Sequence, residues 1–163
     1  MTAAASSPAP TRIEWDAGDL VLTRSFNAPR ELVFRAWTEA EHFAQWFGPA
    51  GSTLPVCTLD PRPGGTLHYC HRFPDYPDVW IAGVFQTVAP PERLVFSCFF
   101  SDASGARIPR DGYPAEMRMD ITFAEEDGST RLVIRQSGLP GDHGEVQGWT
   151  EGLDRLEALL ARA

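Results

Sequence analysis

Apolar and polar positions alternate most regularly over residues 115–124. There Met117, Met119, Ile121 and Phe123 share one face and Arg118, Asp120 and Thr122 the other. A period of two marks a strand with one buried face. The same pattern, with more irregularity, predicts strands over 18–27, 53–59, 66–72, 79–88, 93–100 and 130–136. Turn chemistry separates them, at Pro61-Arg62-Pro63-Gly64-Gly65, at Ala89-Pro90-Pro91-Glu92 and at Asp127-Gly128. The stretch 101–114 is polar and rich in Gly and Pro. It exceeds the usual connection length, which marks it as a flap or a functional loop.

Near the C-terminus the period changes to three and four. Val146, Trp149, Leu153, Leu156, Leu159 and Leu160 form one stripe, predicting a helix over 142–162. Asp142 is placed to cap it and Glu145 to complete a capping box. Gly148 costs helix stability and is expected to let the helix approach the sheet. Two shorter helices are expected over 31–38 and 39–46, with Asn27 as a cap, Pro29 in the first turn and Gly48-Pro49 as the stop. The order β-α-α-β-β-β-β-β-β-α predicts an α+β domain. A curved antiparallel sheet of about seven strands grips the long C-terminal helix, and the two short helices close one end. Residues 17–163 form this domain, and the Ala/Ser/Pro-rich start assigns 1–16 to a flexible tail.

Composition narrows the function classes. The chain has 163 residues, one domain's worth, and 43% are hydrophobic, with ten Phe and five Trp to fill a core. The net charge is -8, with 22 acidic residues against 14 basic ones, every one of them Arg. Nucleic-acid binding, which needs a basic patch, is not expected, nor is attraction to an anionic membrane. No apolar run is long enough to insert into a bilayer, and the start lacks the pattern of a signal peptide. Cys57, Cys70 and Cys98 are odd in number and lack CxxC spacing, which reads as free thiols in a reducing, cytoplasmic setting.

A helix gripped by a curved sheet leaves part of the concave face unfilled, the usual form of a small-molecule site. The candidates to line it are Trp37, Trp46, Leu67, Tyr69, His71, Met117, Met119, Ile121, Phe123 and Trp149. Apolar periodicity alone fits a packed core as well. His71 and Tyr69 share an inward face and could supply acid–base chemistry. Strand alternation sends His68 and Cys70 to the opposite face from His71, so no metal set converges, and neither metal nor cofactor is expected. No G-x-S-x-G elbow and no phosphate loop is present. Arg24 and Arg131 are expected to cover apolar surface with their stems.

Several segments resemble one family in order along the chain. They are Arg24-Ser25-Phe26-Asn27-Ala28-Pro29-Arg30-Glu31-Leu32-Val33-Phe34, Trp46-Phe47-Gly48-Pro49, Arg62-Pro63-Gly64-Gly65, Pro90-Pro91-Glu92-Arg93-Leu94-Val95-Phe96 and Gly148-Trp149-Thr150-Glu151-Gly152-Leu153. From about Leu20 onward the chain is similar to the activator of heat shock protein 90 ATPase homologue family, within the START-like or SRPBCC superfamily. The resemblance implies a helix-grip fold. It also implies a choice among functions, since the superfamily spans lipid carriers, binders of hydrophobic molecules, polyketide cyclases and ring-hydroxylase subunits. The expected partner is a small hydrophobic or amphipathic molecule. The alternatives are a cyclase- or hydrolase-like enzyme, and a co-chaperone acting through a protein surface. The family's eukaryotic co-chaperones carry a further N-terminal chaperone-binding domain, where this chain has a short tail. An open sheet edge or the 101–114 loop could also support a homodimer.

Overall fold

A computed structural model describes residues 10–162. In chain order the elements are β1 (Arg12–Asp16), β2 (Asp19–Phe26), α1 (Arg30–Thr38), α2 (Ala40–Trp46), β3 (Thr53–Leu59), β4 (Thr66–Arg72), β5 (Val79–Ala89), β6 (Arg93–Ser101), β7 (Met117–Glu126), β8 (Ser129–Ser137) and α3 (Glu145–Ala161). All the strands belong to one antiparallel sheet with the spatial order β1-β2-β8-β7-β6-β5-β4-β3. The strands β3 to β8 follow one another as hairpins. The single long crossing is made by α1 and α2, which carry the chain from β2 to the far edge.

Eight strands replace the seven expected. The additional one, β1, lies in the stretch read from sequence as flexible tail, and it pairs with β2 from Arg12↔Thr23 to Asp16↔Asp19. Its five residues are all exposed. They therefore show no burial alternation, and backbone pairing alone defines the strand. Residues 1–9 of the expected tail lie outside the described residues.

The inward face runs across the sheet in aligned rows. One row is Leu94, Ile121, Ile134 and Leu22, and another is Phe85, Phe96, Met119, Gln136 and Leu20. Leu153 and Leu156 of α3 are buried with them in one core. At Gly83 an added Cβ would stand 2.1 Å from the Ser97 carbonyl oxygen, so the backbones of β5 and β6 approach too closely for a side chain there. A register shift between Phe85 and Thr87 adds a local bend.

The helix ends differ from expectation. No side chain caps α1, whose N-cap is Pro29 rather than Asn27. The last helix begins at Glu145, because Gly144 takes a left-handed φ of 105° and breaks the run from Asp142. Asp142 still works as a cap from one turn earlier. Its Oδ1 accepts from the N–H groups of Gly144 (3.0 Å) and Val146 (3.2 Å). The close-approach glycine is Gly152, not Gly148. An added Cβ on Gly152 would lie 3.3 Å from the Gly48 carbonyl oxygen, whereas one on Gly148 would meet nothing within 4 Å.

Two arginines fasten α3. Arg24 lies over the Phe26 ring, its guanidinium carbon 5.4 Å from the centroid, and it makes ion pairs as well. Its guanidinium is buried, donating to Asp154 Oδ1 at 2.6 Å and Glu157 Oε1 at 2.9 Å. Arg155 reaches the other way and donates to the Gly48 and Pro49 carbonyls, both at 3.0 Å, just beyond the C-terminus of α2.

Candidate ligand cavity

The concave face is only partly covered. Helix α1 sits over the far end of β7, where Phe34 meets Phe123 edge-on with centroids 5.0 Å apart. Among the described residues no helix packs comparably on the other end of β7. There a cavity of about 990 Å³ opens between β4 to β8, the start of α3, the 73–78 hairpin and the loop after β6. Its floor is buried and mostly apolar: Ile81, Cys98, Met117 and Met119, with Gln136 as the polar member. Trp46, Phe47, Tyr69 and Trp149 form an aromatic wall, and Phe47 stacks on His71 with centroids 5.5 Å apart. The rim is exposed, with the charged Asp75, Asp78 and Arg110 beside His143.

Six of the ten candidate residues line this cavity: Trp46, Tyr69, His71, Met117, Met119 and Trp149. The other four do not. Trp37, Leu67, Ile121 and Phe123 are buried in the packed core behind it, with Trp37 stacked 6.0 Å from Trp149. Sequence reasoning missed Phe47, Ile81, Cys98 and Gln136 on the wall and floor, and Phe100, Tyr113 and Gly148 around them. Gln136 and Phe100 continue alternations that the strands already showed. Tyr113 stands in the long loop, where no periodicity marks it.

That loop is tied down at both ends. Asp102 Oδ1 accepts from the Ser104 and Ala106 backbone N–H groups, and Ile108 N–H donates to the Phe100 carbonyl at 2.9 Å. Farther along, the Tyr113 hydroxyl donates to Glu145 Oε2 at 2.6 Å, joining the loop to the first turn of α3 across the cavity mouth. Burial and this carboxylate hold the Tyr113 hydroxyl at about 12, well above its ordinary value.

Electrostatically the interior favours neutral groups. Burial pushes the Cys98 thiol up to about 12, which removes it as a nucleophile at neutral pH. Burial likewise raises Tyr69 well above its ordinary value. His71 moves the other way, to about 4, through burial first and the nearby Arg155 charge second. Its Nδ1 is buried without a partner, close to Gly48. Gly48 has φ 115°, and a Cβ there would stand 3.0 Å from that nitrogen. His68 lies on the opposite face beside Trp80, and no group of three or more His, Cys, Asp or Glu converges among the described residues. No helix among them is long and apolar enough to cross a membrane.

Residues 27–161 match the family model of the Activator of Hsp90 ATPase homolog 1-like protein. The chain belongs to this family. Solved bacterial structures share the fold. A protein from Chromobacterium violaceum is 29% identical, with 87% of this chain and 96% of that one covered and a TM-score of 0.77. The AHSA1 protein from Silicibacter pomeroyi is 27% identical over 88% and 98% of the two chains, with a TM-score of 0.71. A Mycobacterium smegmatis protein at 23% identity covers 93% and 97%, with a TM-score of 0.79, and shows the fold alone. No curated protein matches the chain. In this family member, then, the START-like helix-grip fold read from sequence is present, with one strand more than expected and the cavity displaced toward the loop after β6.

The His71 shift carries a pH consequence. The folded imidazole titrates near 4 and the unfolded one near its ordinary 6.5. Between these values the unfolded chain binds a proton that the folded chain refuses. Stability is therefore full above about pH 6.5 and falls as pH drops toward 4, by up to about 1.4 kcal/mol per pH unit. Asp78, Asp102, Asp120 and Glu151 are all held below their ordinary range, so their losses come at lower pH. Urea midpoints measured from pH 7 to 4.5 should decline in the wild type and stay flatter in His71→Phe. Parallel curves would assign the decline to other groups.

Proposed function

We propose that the chain binds a small hydrophobic or amphipathic molecule in the cavity between the sheet and α3. The observation that supports this most is the pairing of a buried apolar floor with a charged, open rim in about 990 Å³. That volume reaches the upper end of the range occupied by small-molecule sites. An amphipathic occupant would set its apolar body on Ile81, Met117 and Met119 and keep its polar end at the rim. Catalysis by His71 and Tyr69 has less support. Both face the cavity, but the buried His71 Nδ1 has no hydrogen-bond partner among the described residues, so no carboxylate orients the imidazole for proton transfer.

A thermal-shift screen with fatty acids, sterols, flavonoids and isoprenoids tests the reading. Ligand at a hundred times its Kd stabilises by about 2.7 kcal/mol, a rise of roughly 5–10 °C for a chain of this size. A saturable rise with one class would name the ligand chemistry. A well-folded sample that responds to none of them would count against an open, ready-made cavity.

A further inference from the structure

We infer that Gln136 selects the ligand: the end that enters the cavity carries an oxygen acceptor (a carbonyl, ether or hydroxyl), with an apolar or aromatic body between that end and the rim. This rests on the cavity reading above and adds what the floor recognises. Gln136 is 5% exposed and lies in the inward row between Met119 of β7 and Leu20 of β2. Ile134 and Leu132 are apolar on the same face of β8, so an amide interrupts an apolar series.

The orientation of that amide follows from its partner. The Trp149 indole Nε1 can only donate, and it stands 2.8 Å from Gln136, so the atom facing it is Oε1. The Nε2 end, with two N–H groups, therefore turns away from Trp149. Among the described residues its one hydrogen-bond partner is Met117 Sδ at 3.9 Å, and a thioether is a weak acceptor. Satisfying Trp149 requires only an acceptor, so the donor end is surplus to that bond. A buried amide end without a proper partner costs free energy. Gln136, Met117 and Trp149 all line the same cavity. A ligand oxygen set against Nε2 would supply the missing acceptor and hold the apolar body on Met117 and Met119.

The test uses two probes of nearly one shape, 2-acetylnaphthalene and 2-ethylnaphthalene, with affinities from equilibrium dialysis against the full chain. The hydrocarbon is the more hydrophobic, so transfer from water alone favours it. In the wild type the ketone should bind about fivefold tighter or better, the size of one net hydrogen bond. Gln136→Leu should erase or invert that preference. Gln136→Met, which keeps the length of the side chain and a weak acceptor for Trp149 but no donor, should weaken the ketone more than the hydrocarbon. Equal binding, or a hydrocarbon preference, in the wild type would overturn the inference and leave the cavity reading intact. A ketone preference that survives in Gln136→Leu would overturn it too, by assigning the donor elsewhere. Failure of both probes to bind the wild type would remove the cavity reading, and this inference with it. The wild-type comparison stands even where a variant does not fold.

Discussion

Gly148→Leu is expected to weaken binding of an apolar probe at least tenfold while the melting temperature holds or rises. Glu145, Gln147, Gly148, Trp149, Glu151 and Gly152 of α3 line the cavity, and a side chain at 148 starts with free space within 4 Å. A leucine there would occupy room a ligand needs. Tenfold corresponds to about 1.4 kcal/mol. The helix itself gains, since leucine is better than glycine by roughly 0.8 kcal/mol in a helix interior. Gly152→Leu is the contrasting substitution. Its Cβ would stand 3.3 Å from the Gly48 carbonyl, so α3 must shift against the end of α2, and stability should fall. Dialysis and thermal melts of the two variants check both outcomes. An unchanged affinity in Gly148→Leu would mean the probe sits elsewhere.

Arg24→Ala is expected to cost about 2–3 kcal/mol of stability. Breaking a buried ion pair by removing one partner costs about 3–5 kcal/mol. The lower figure follows from the carboxylate side, since the Asp154 side chain is 54% exposed and Glu157 30%, leaving both able to regain water. Without the cation the two acids face each other one turn apart on α3. The melting temperature should fall by roughly 5–10 °C. Arg24→Met, which refills the space without the charge, should recover part of the loss. Urea denaturation measures both, and a loss below about 1 kcal/mol in Arg24→Ala would show that α3 is held by its apolar stripe alone.

Much of the fold was legible because burial imprints a period. Met117, Met119, Ile121 and Phe123 announced β7, and Asp127-Gly128 announced its hairpin, where both residues take positive φ of 51° and 84°. What leaves a short or partial period was missed. The strand β1 has no fully buried residue, and its alternation of Ile13 and Trp15 with Arg12, Glu14 and Asp16 is only five residues long, directly after the Ala/Ser/Pro-rich start. The cavity was legible as a face but not as a place. One strand face contains both Phe123, covered by α1, and Met117, on the cavity floor, and alternation cannot tell where a helix will land. Arg24 and its two acids lie 130 and 133 residues apart. Asp154 and Glu157, spaced by three beside Leu153 and Leu156, were the only local trace of that link. The Gln136 amide stood in plain view within β8, yet its two faces, one spent on Trp149 and one not, exist only once α3 is docked.

The sheet order also fixes a sequence of events during synthesis. On one side β2 pairs with β1, its neighbour in the chain. On the other it pairs with β8, Leu20 opposite Gln136. The strands β3 to β7 can each zip onto the one just made, while β2 keeps an open edge until Ser129–Ser137 has left the ribosome. Its inward arginine then waits longer still, for the helix that follows. The oldest part of the chain is thus among the last to be completed, and nascent protein must carry that unpaired edge through most of its own translation.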